Sequence, residues 1–191
     1  MIEIPRVETQ RLVLRPLGLD DARDVQVLAG DFAIADTTAR IPHPYEDGMA
    51  EAWIASLAEA IQPRQEWVFG IEESASGCLM GTVGLVSPGE DGDAELGYWI
   101  GRPYWNQGFA TEAARVVVDF GFEHAGIARV HAHHFSRNPA SGRVLQKLGF
   151  RHGGMRRNFE IAPGRIEDVE LYALAKKEWQ TLPRPVTPAG S

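Results

Sequence analysis

Residues 102–117 read RPYWNQGFATEAARVV, and they set Gly108 and Ala110 two positions apart where a polar loop gives way to an apolar, helix-like run. Little side-chain bulk at that junction lets the N–H groups of Gln107 to Thr111 face one point. The helix beyond adds the positive end of its dipole, so the junction suits an anion, above all a pyrophosphate. It suits an ordinary turn as well, and the spacing alone leaves both readings open. No Gly-Lys-Ser/Thr follows, which excludes a Walker loop, and no full Gly-x-Gly-x-x-Gly is present for a dinucleotide fold.

Working outward, Ala113, Val116, Val117 and Phe120 make the apolar stripe of a helix over about 111–124. Ahead of it, EWVFGIEE, CLMGTVGLVS and AELGYWIG are strand candidates separated by Gly, Ser, Pro and Asp, most simply an antiparallel meander. Behind it comes the strand ARVHAHHFS, then Asn138-Pro139 as a helix start and Gly149 as its C-cap. RNFEIAPGRIEDVELYAL reads as a hairpin turning near Pro163 and Gly164. At the start, TQRLVLRPL alternates as a strand with one buried face and stops at Pro16. A short helix capped by Asp20 or Asp21 follows, then a second capped by Asp47, whose Trp53, Ile54, Leu57 and Ile61 share a face. The expected fold class is therefore α+β, a mixed and mostly antiparallel sheet of about seven strands with about four helices. Residues 1–180 are expected to form a single domain and the Pro-rich 181–191 a disordered tail.

Composition narrows the function. With 191 residues, a net charge of −7 and 44% hydrophobic residues, the chain suits one well-formed core and argues against general nucleic-acid binding. No apolar run reaches the ~20 residues of a membrane span, and MIEIPRVETQRLVL lacks a basic n-region and a cleavage site, so a cytoplasmic location is expected. A single cysteine, Cys78, allows no internal disulfide and reads as a small buried residue. From His124 to Phe159 there is no acid, yet Arg129, Arg137, Arg143, Lys147, Arg151, Arg156 and Arg157 all fall there. Such a window can meet an anionic ligand locally, or be a solvated face. Conversely Glu90, Asp91, Asp93 and Glu95 cluster and could draw in a cation. His131 and His133 alternate on one strand face without an acidic or cysteine partner at ligand spacing, so no metal is expected.

The segment from AELGYWIGRPYWNQGFATEAARVV to SRNPASGRVLQKLGFRHGG, preceded by ETQRLVLRPLGLDDA, resembles the GNAT N-acetyltransferases, in the branch of the ribosomal-protein N-terminal alanine and serine acetyltransferases. The resemblance covers about 6–178 and rests on two ordered blocks: Asn106-Gln107-Gly108-Phe109-Ala110, and Asn138-x-x-Ser141 running to Leu148-Gly149-Phe150. Trp105 stands where the wider superfamily shows Arg or Gln, as is common in this branch.

The resemblance implies a V-shaped splay between the ELGYWI and RVHAHH strands that takes acetyl-CoA. The pantetheine would run along the backbone of Tyr98, Trp99 and Ile100, and the pyrophosphate would sit on Gln107, Gly108, Phe109, Ala110 and Thr111. Asn138 would reach the pantetheine, with a helix-cap role equally open, and Arg143, Lys147 or Arg102 would meet the outer phosphates. Acetyl transfer to an amine needs a free-base nucleophile, donors for the oxyanion and a proton for the thiolate. Glu95 is the expected base, directly or through water. The late-helix tyrosine of the wider family is replaced by Leu145, so Ser141 is expected to assist the leaving sulfur. The implied reaction is direct transfer in a ternary complex to a protein N-terminus or a small amine, with no metal; a homodimer stays open. Two other readings remain: an acyl-CoA-binding module without efficient catalysis, and plain nucleotide binding, which the missing lysine and Mg²⁺-binding hydroxyl disfavour.

Overall fold

A computed structural model describes residues 3–59, 65–88 and 92–183. The strands are β1 (Val7–Glu8), β2 (Leu12–Pro16), β3 (Gln65–Glu73), β4 (Leu79–Ser87), β5 (Asp93–Ile100), β6 (Arg129–Phe135), β7 (Arg151–Ala162) and β8 (Arg165–Ala175). The α-helices are α1 (Ala22–Ala29), α2 (Phe32–Thr37), α3 (Met49–Glu59), α4 (Phe109–Glu123), α5 (Pro139–Lys147) and α6 (Lys176–Trp179). All eight strands form one sheet in the order β1-β2-β3-β4-β5-β6-β8-β7. The surplus over the expected elements is β1, α2 and α6, each too short for a periodicity to reveal. Ile61, Glu90, Asp91 and all of the expected tail beyond residue 183 lie outside the described residues.

The meander forms as read, with β3, β4 and β5 paired antiparallel in sequence order. Apolar alternation on β3 buries Trp67, Phe69 and Ile71. Phe69 then packs edge-on to Phe120 of α4 at 5.4 Å between ring centroids. β4 is buried along nearly its whole length between two apolar clusters, one holding α4 and the other holding Val25, Ala50 and Ile54 of α1 and α3. A strand enclosed in this way reads as a continuous apolar run, as LMGTVGLV does.

Two cap expectations are replaced by other contacts. Asp21 stands at the start of α1 but makes no side-chain cap bond to it; its carboxylate accepts from Arg15 Nη1 and Nη2 at 2.9 and 2.8 Å and, at 2.8 Å, from the N–H of Gly18, which precedes the 3-10 turn leading into α1. Burial would raise its pKa; the Arg15 and Gly18 hydrogen bonds outweigh that and hold it below the ordinary carboxylate range. Asp47 accepts from Gln26 at 2.5 Å, and α3 begins two residues later, at Met49. Cys78 is exposed rather than buried, because it sits at the turn before β4 where its N–H is held by Ser76.

The feature that makes the site is a parallel contact. β5 and β6 pair at Asp93↔Arg129, Ala94↔Val130 and Glu95↔His131, and there the pairing ends. β5 runs on to Ile100 against β4, and β6 runs on to Phe135 against β8, so the two strands part from Glu95 onward. β5 stays with β4 where Gly81 lets the two backbones close. A Cβ on Gly81 would collide with the Trp99 carbonyl and stand 2.9 Å from Ile100 Cα. Gly97, on the facing strand, has nothing within 4 Å of the equivalent position. Gly81→Ala is expected to cost about 1–3 kcal/mol through overpacking while Gly97→Ala stays within about 0.5 kcal/mol; chemical denaturation of the two variants checks the difference.

Candidate active site

The opening between β5 and β6 begins with unsatisfied backbone. Gly101 N–H donates to the Met80 carbonyl at 2.8 Å, and hydrogen-bonded pairs alternate along an antiparallel ladder. Trp99 and Gly97 therefore turn their backbone groups toward β4, while Tyr98 and Ile100 turn theirs toward the opening. Trp105 Nε1 takes the Ile100 carbonyl at 2.5 Å. Trp99, whose backbone is paired with β4, is also in the cavity wall.

Below that edge lies the loop that leads into α4. Asn106 has φ +61° and Gly108 φ +84°, the left-handed region that favours glycine. α4 starts at Phe109, two residues earlier than its periodicity suggested, and its first internal bond runs from Glu112 N–H to Gly108 O. The N–H groups of Phe109, Ala110 and Thr111 thus have no acceptor within the helix and form its positive end. Asn106, Gly108, Ala110 and Thr111 line a cavity of about 310 Å³ together with Asn138, Ser141, Arg143 and Lys147 of the α5 region. Asn138 makes no side-chain cap bond to α5, so its amide is left for that cavity. Of the basic window, Arg129, Arg137 and Arg151 are bound to Asp93, Glu167 and Glu178, whereas Arg143 and Lys147 face the cavity. Arg102 lies 3.9 Å from Asp31.

Gln107 is held differently from its neighbours. Its carbonyl accepts from Arg11 Nη1 at 2.9 Å, and Arg11 stacks 4.5 Å from the Phe109 ring centroid and donates through Nε to Glu112 at 2.8 Å. Thr9 adds a 2.7 Å hydrogen bond to Glu112. Burial would raise the Glu112 pKa, but these donors outweigh it and hold the carboxyl low. The TQR segment, readable in sequence only as the approach to a strand, is thus a clamp on the loop.

A second cavity, of about 800 Å³, lies on the other side of the splay, with Tyr45, Trp53, Phe159, Arg40, Glu66 and Glu160 in its walls. The two cavities share Tyr98, Trp99 and Ser141, and also Thr37 and Thr38. There the Tyr98 hydroxyl and Ser141 Oγ are 2.8 Å apart, and the same phenol donates to the Ser141 carbonyl at 3.1 Å. Burial pushes the Tyr98 pKa up, so its proton stays in place. A tyrosine hydroxyl is therefore present at this point, delivered by β5, while Leu145 is fully buried in the core. Glu95 lies in the second cavity with His133, whose Nδ1 is 3.0 Å from Glu95 Oε1. The hydrogen bond from His133 is the largest influence on Glu95; it outweighs burial and, with the charges of Arg40 and His131, holds the carboxyl below its ordinary range. The histidine pair read as partnerless does have an acidic partner, supplied across the splay. Among the described residues no group of three or more His, Cys, Asp or Glu could hold a metal, and no helix is long and apolar enough to cross a membrane.

An open strand edge, a helix N-terminus with a left-handed glycine and a hydroxyl pair at their meeting point together define an acyl-thioester transferase site. The comparisons agree: a family model described as the acetyltransferase (GNAT) domain matches residues 11–151, and the chain belongs to that family. It is an acetyl-CoA-dependent N-acetyltransferase. It is 32% identical to the uncharacterized N-acetyltransferase p20 of Bacillus licheniformis, over 90% of this chain and 96% of the relative. The fold superposes on the spermidine N-acetyltransferase of Vibrio cholerae in complex with CoA and spermine, with TM-score 0.75, 21% identity and coverage of 91% and 100%. It superposes equally on the ribosomal-protein-S5-alanine acetyltransferase of Vibrio fischeri, with TM-score 0.76, 20% identity and coverage of 92% and 98%.

Gly108→Val tests the loop. The φ of +84° makes the variant cost about 1–2 kcal/mol in stability. The added bulk is expected to weaken acetyl-CoA binding by more than that, over ~30-fold by calorimetry.

Proposed function

We propose that the protein transfers an acetyl group from acetyl-CoA directly to a primary amine, both substrates being bound at once. The observation that carries this reading is the shared wall. The smaller cavity has the dimensions and donors for a phosphorylated arm, the larger one has room for an acceptor, and they meet along Tyr98, Trp99 and Ser141, with Thr37 and Thr38 at the rim common to both. A nucleophile and a thioester held on either side of such a wall meet without a covalent enzyme intermediate, and much of the acceleration then comes from positioning.

The roles follow from chemistry at each point. The Tyr98 carbonyl and the Ile100 N–H hold the pantetheine, with Asn138 beside it. The amides of Gly108, Phe109, Ala110 and Thr111 take the pyrophosphate, assisted by Gln107 at the loop's clamped end, and Arg143 with Lys147 takes the outer phosphates. The Tyr98 N–H is placed for the oxyanion. Ser141, hydrogen-bonded to the protonated Tyr98 hydroxyl, supplies the proton that the thiolate needs. Glu95 and its partner mark the end from which the amine enters.

The acceptor is a primary amine whose ammonium meets Glu95, Glu66 or Glu160 and whose body lies on Tyr45, Trp53 and Phe159. The acidic approach is narrower than the sequence suggested, since Asp93 is bound to Arg129 and Glu95 to His133. Peptide N-termini and small amines both fit this description; the relatives of similar fold that act on spermidine and on a ribosomal protein illustrate the two. A screen of CoA release over peptides of varied N-terminus and small amines tests the reading. Turnover with at least one class supports it, while acetyl-CoA binding without CoA release from any amine leaves a binding module.

Ser141→Ala is expected to lower kcat about 10²-fold with acetyl-CoA KM nearly unchanged. Steady-state kinetics at saturating amine checks it.

A further inference from the structure

We propose that His133 Nε2, not the Glu95 carboxylate, takes the proton from the attacking amine, and that Glu95 is the positioning residue that holds the imidazole for this task. The inference rests on the acetyl-transfer reading above. Its ground is where the two residues stand. Glu95 is the last residue of β5 paired with β6, opposite His131, and His133 lies two residues further along β6, where the strands have already parted. The side chain bridges back across the opening to Glu95 at 3.0 Å and faces the larger cavity. Both groups are partly shielded, with side-chain exposures of 23% for His133 and 30% for Glu95.

This geometry divides the labour. A carboxylate that accepts from Nδ1 fixes that nitrogen as the proton-bearing one, leaving Nε2 with a free lone pair. The Phe159 ring stands edge-on at 6.0 Å and limits ring rotation. Glu95 itself faces His133, His131 and Arg40, the last at 3.7 Å, and all three favour its anion; a carboxylate so stabilised is a weak proton acceptor. An imidazole ordinarily changes charge near neutrality, which is where a general base for an amine is effective.

The other charged groups around the pair are Glu66 of β3, 4.0 Å from Arg40, and Glu160 of β7 in the cavity wall. On β8, Leu171 lies opposite His133, and Glu170 is engaged by His152 and Ser136.

The proton balance closes. Nε2 takes one proton from the substrate ammonium, and the freed lone pair forms the N–C bond while the carbonyl π pair moves to oxygen; when that pair re-forms the C=O bond, the C–S electron pair leaves with sulfur. The nitrogen gives up a second proton on becoming an amide. One of the two protons ends on the CoA sulfur through Ser141 and Tyr98, and the other passes from His133 to solvent.

The test combines kinetics with nitrogen NMR on the full chain. His133→Gln is expected to lower kcat/KM for the amine about 10²-fold or more and to remove its acid limb, with acetyl-CoA affinity unchanged by calorimetry. Glu95→Gln keeps a hydrogen-bond acceptor for Nδ1, so it is expected to retain the limb. Glu95→Ala is expected to be slower than Glu95→Gln. In ¹⁵N spectra above neutral pH, His133 is expected to carry its proton on Nδ1 in the wild type and to become a tautomer mixture in Glu95→Ala. Retention of rate and acid limb in His133→Gln, loss of the limb in Glu95→Gln, or an Nε2-protonated His133 in the wild type would each overturn the inference. A wild type that binds acetyl-CoA but releases no CoA with any amine overturns the acetyl-transfer reading instead, and the tautomer, which does not depend on turnover, tells the two failures apart.

Discussion

The parting of β5 from β6 is the constraint from which the site follows. In a sheet whose other neighbours are all antiparallel, these two strands run parallel for only three residue pairs. Past Glu95 each is claimed by its other neighbour, β5 by β4 through the close approach at Gly81, β6 by β8 along its full length. Backbone N–H and C=O groups left at such an edge need partners from outside the sheet. A linear amide-bearing arm can supply them in the manner of an added strand. The same parting opens the floor of the second cavity. One topological event thus creates both cavities and the wall between them.

Charge is arranged around that opening by pairing rather than by excess. The chain is acidic overall, yet the positive groups that matter are a helix N-terminus and the two α5 cations Arg143 and Lys147, set where an anion would lie. Glu112, held in its ionised form by Thr9 and Arg11, keeps the loop fixed at its far side. On the acceptor side Glu95 is likewise held ionised, by His133 and Arg40. Tyr98 is shifted the opposite way and keeps its proton next to Ser141. Groups pushed apart in this manner, an anion with an imidazole on one side and a protonated phenol on the other, are what an acid–base division of labour requires.

Much of this was legible in the sequence where the signal is local. The glycine in RPYWNQGFATEAARVV, the Asn138-Pro139 helix start and the three-strand meander all depend on neighbours a few residues away, and each stands where the pattern put it. The family resemblance pointed to Glu95, Tyr98 and Ser141, and all three line the cavities on either side of the splay. What escaped was non-local. Tyr98 meets Ser141 across 43 positions, and His133 meets Glu95 only because the parallel register brings β5 beside β6. His133 therefore read as a histidine without a partner. Arg11 stands 101 positions from Glu112, so its clamp was hidden behind an ordinary strand pattern. Cap residues misled for a different reason: Asp21 and Asp47 have the right chemistry for a helix start, but tertiary donors captured both.

The central claim is that acetyl-CoA lies in the splay with its reactive end at the wall between the two cavities. A crystal structure of the protein with bound CoA tests this most directly. The account predicts pantetheine hydrogen-bonded to the backbone of Tyr98 and Ile100, pyrophosphate oxygens on the amides of Gly108 to Thr111, and the sulfur within about 3–4 Å of Ser141 Oγ. A pantetheine arm lying outside the β5–β6 opening, or a sulfur remote from Tyr98 and Ser141, would contradict it.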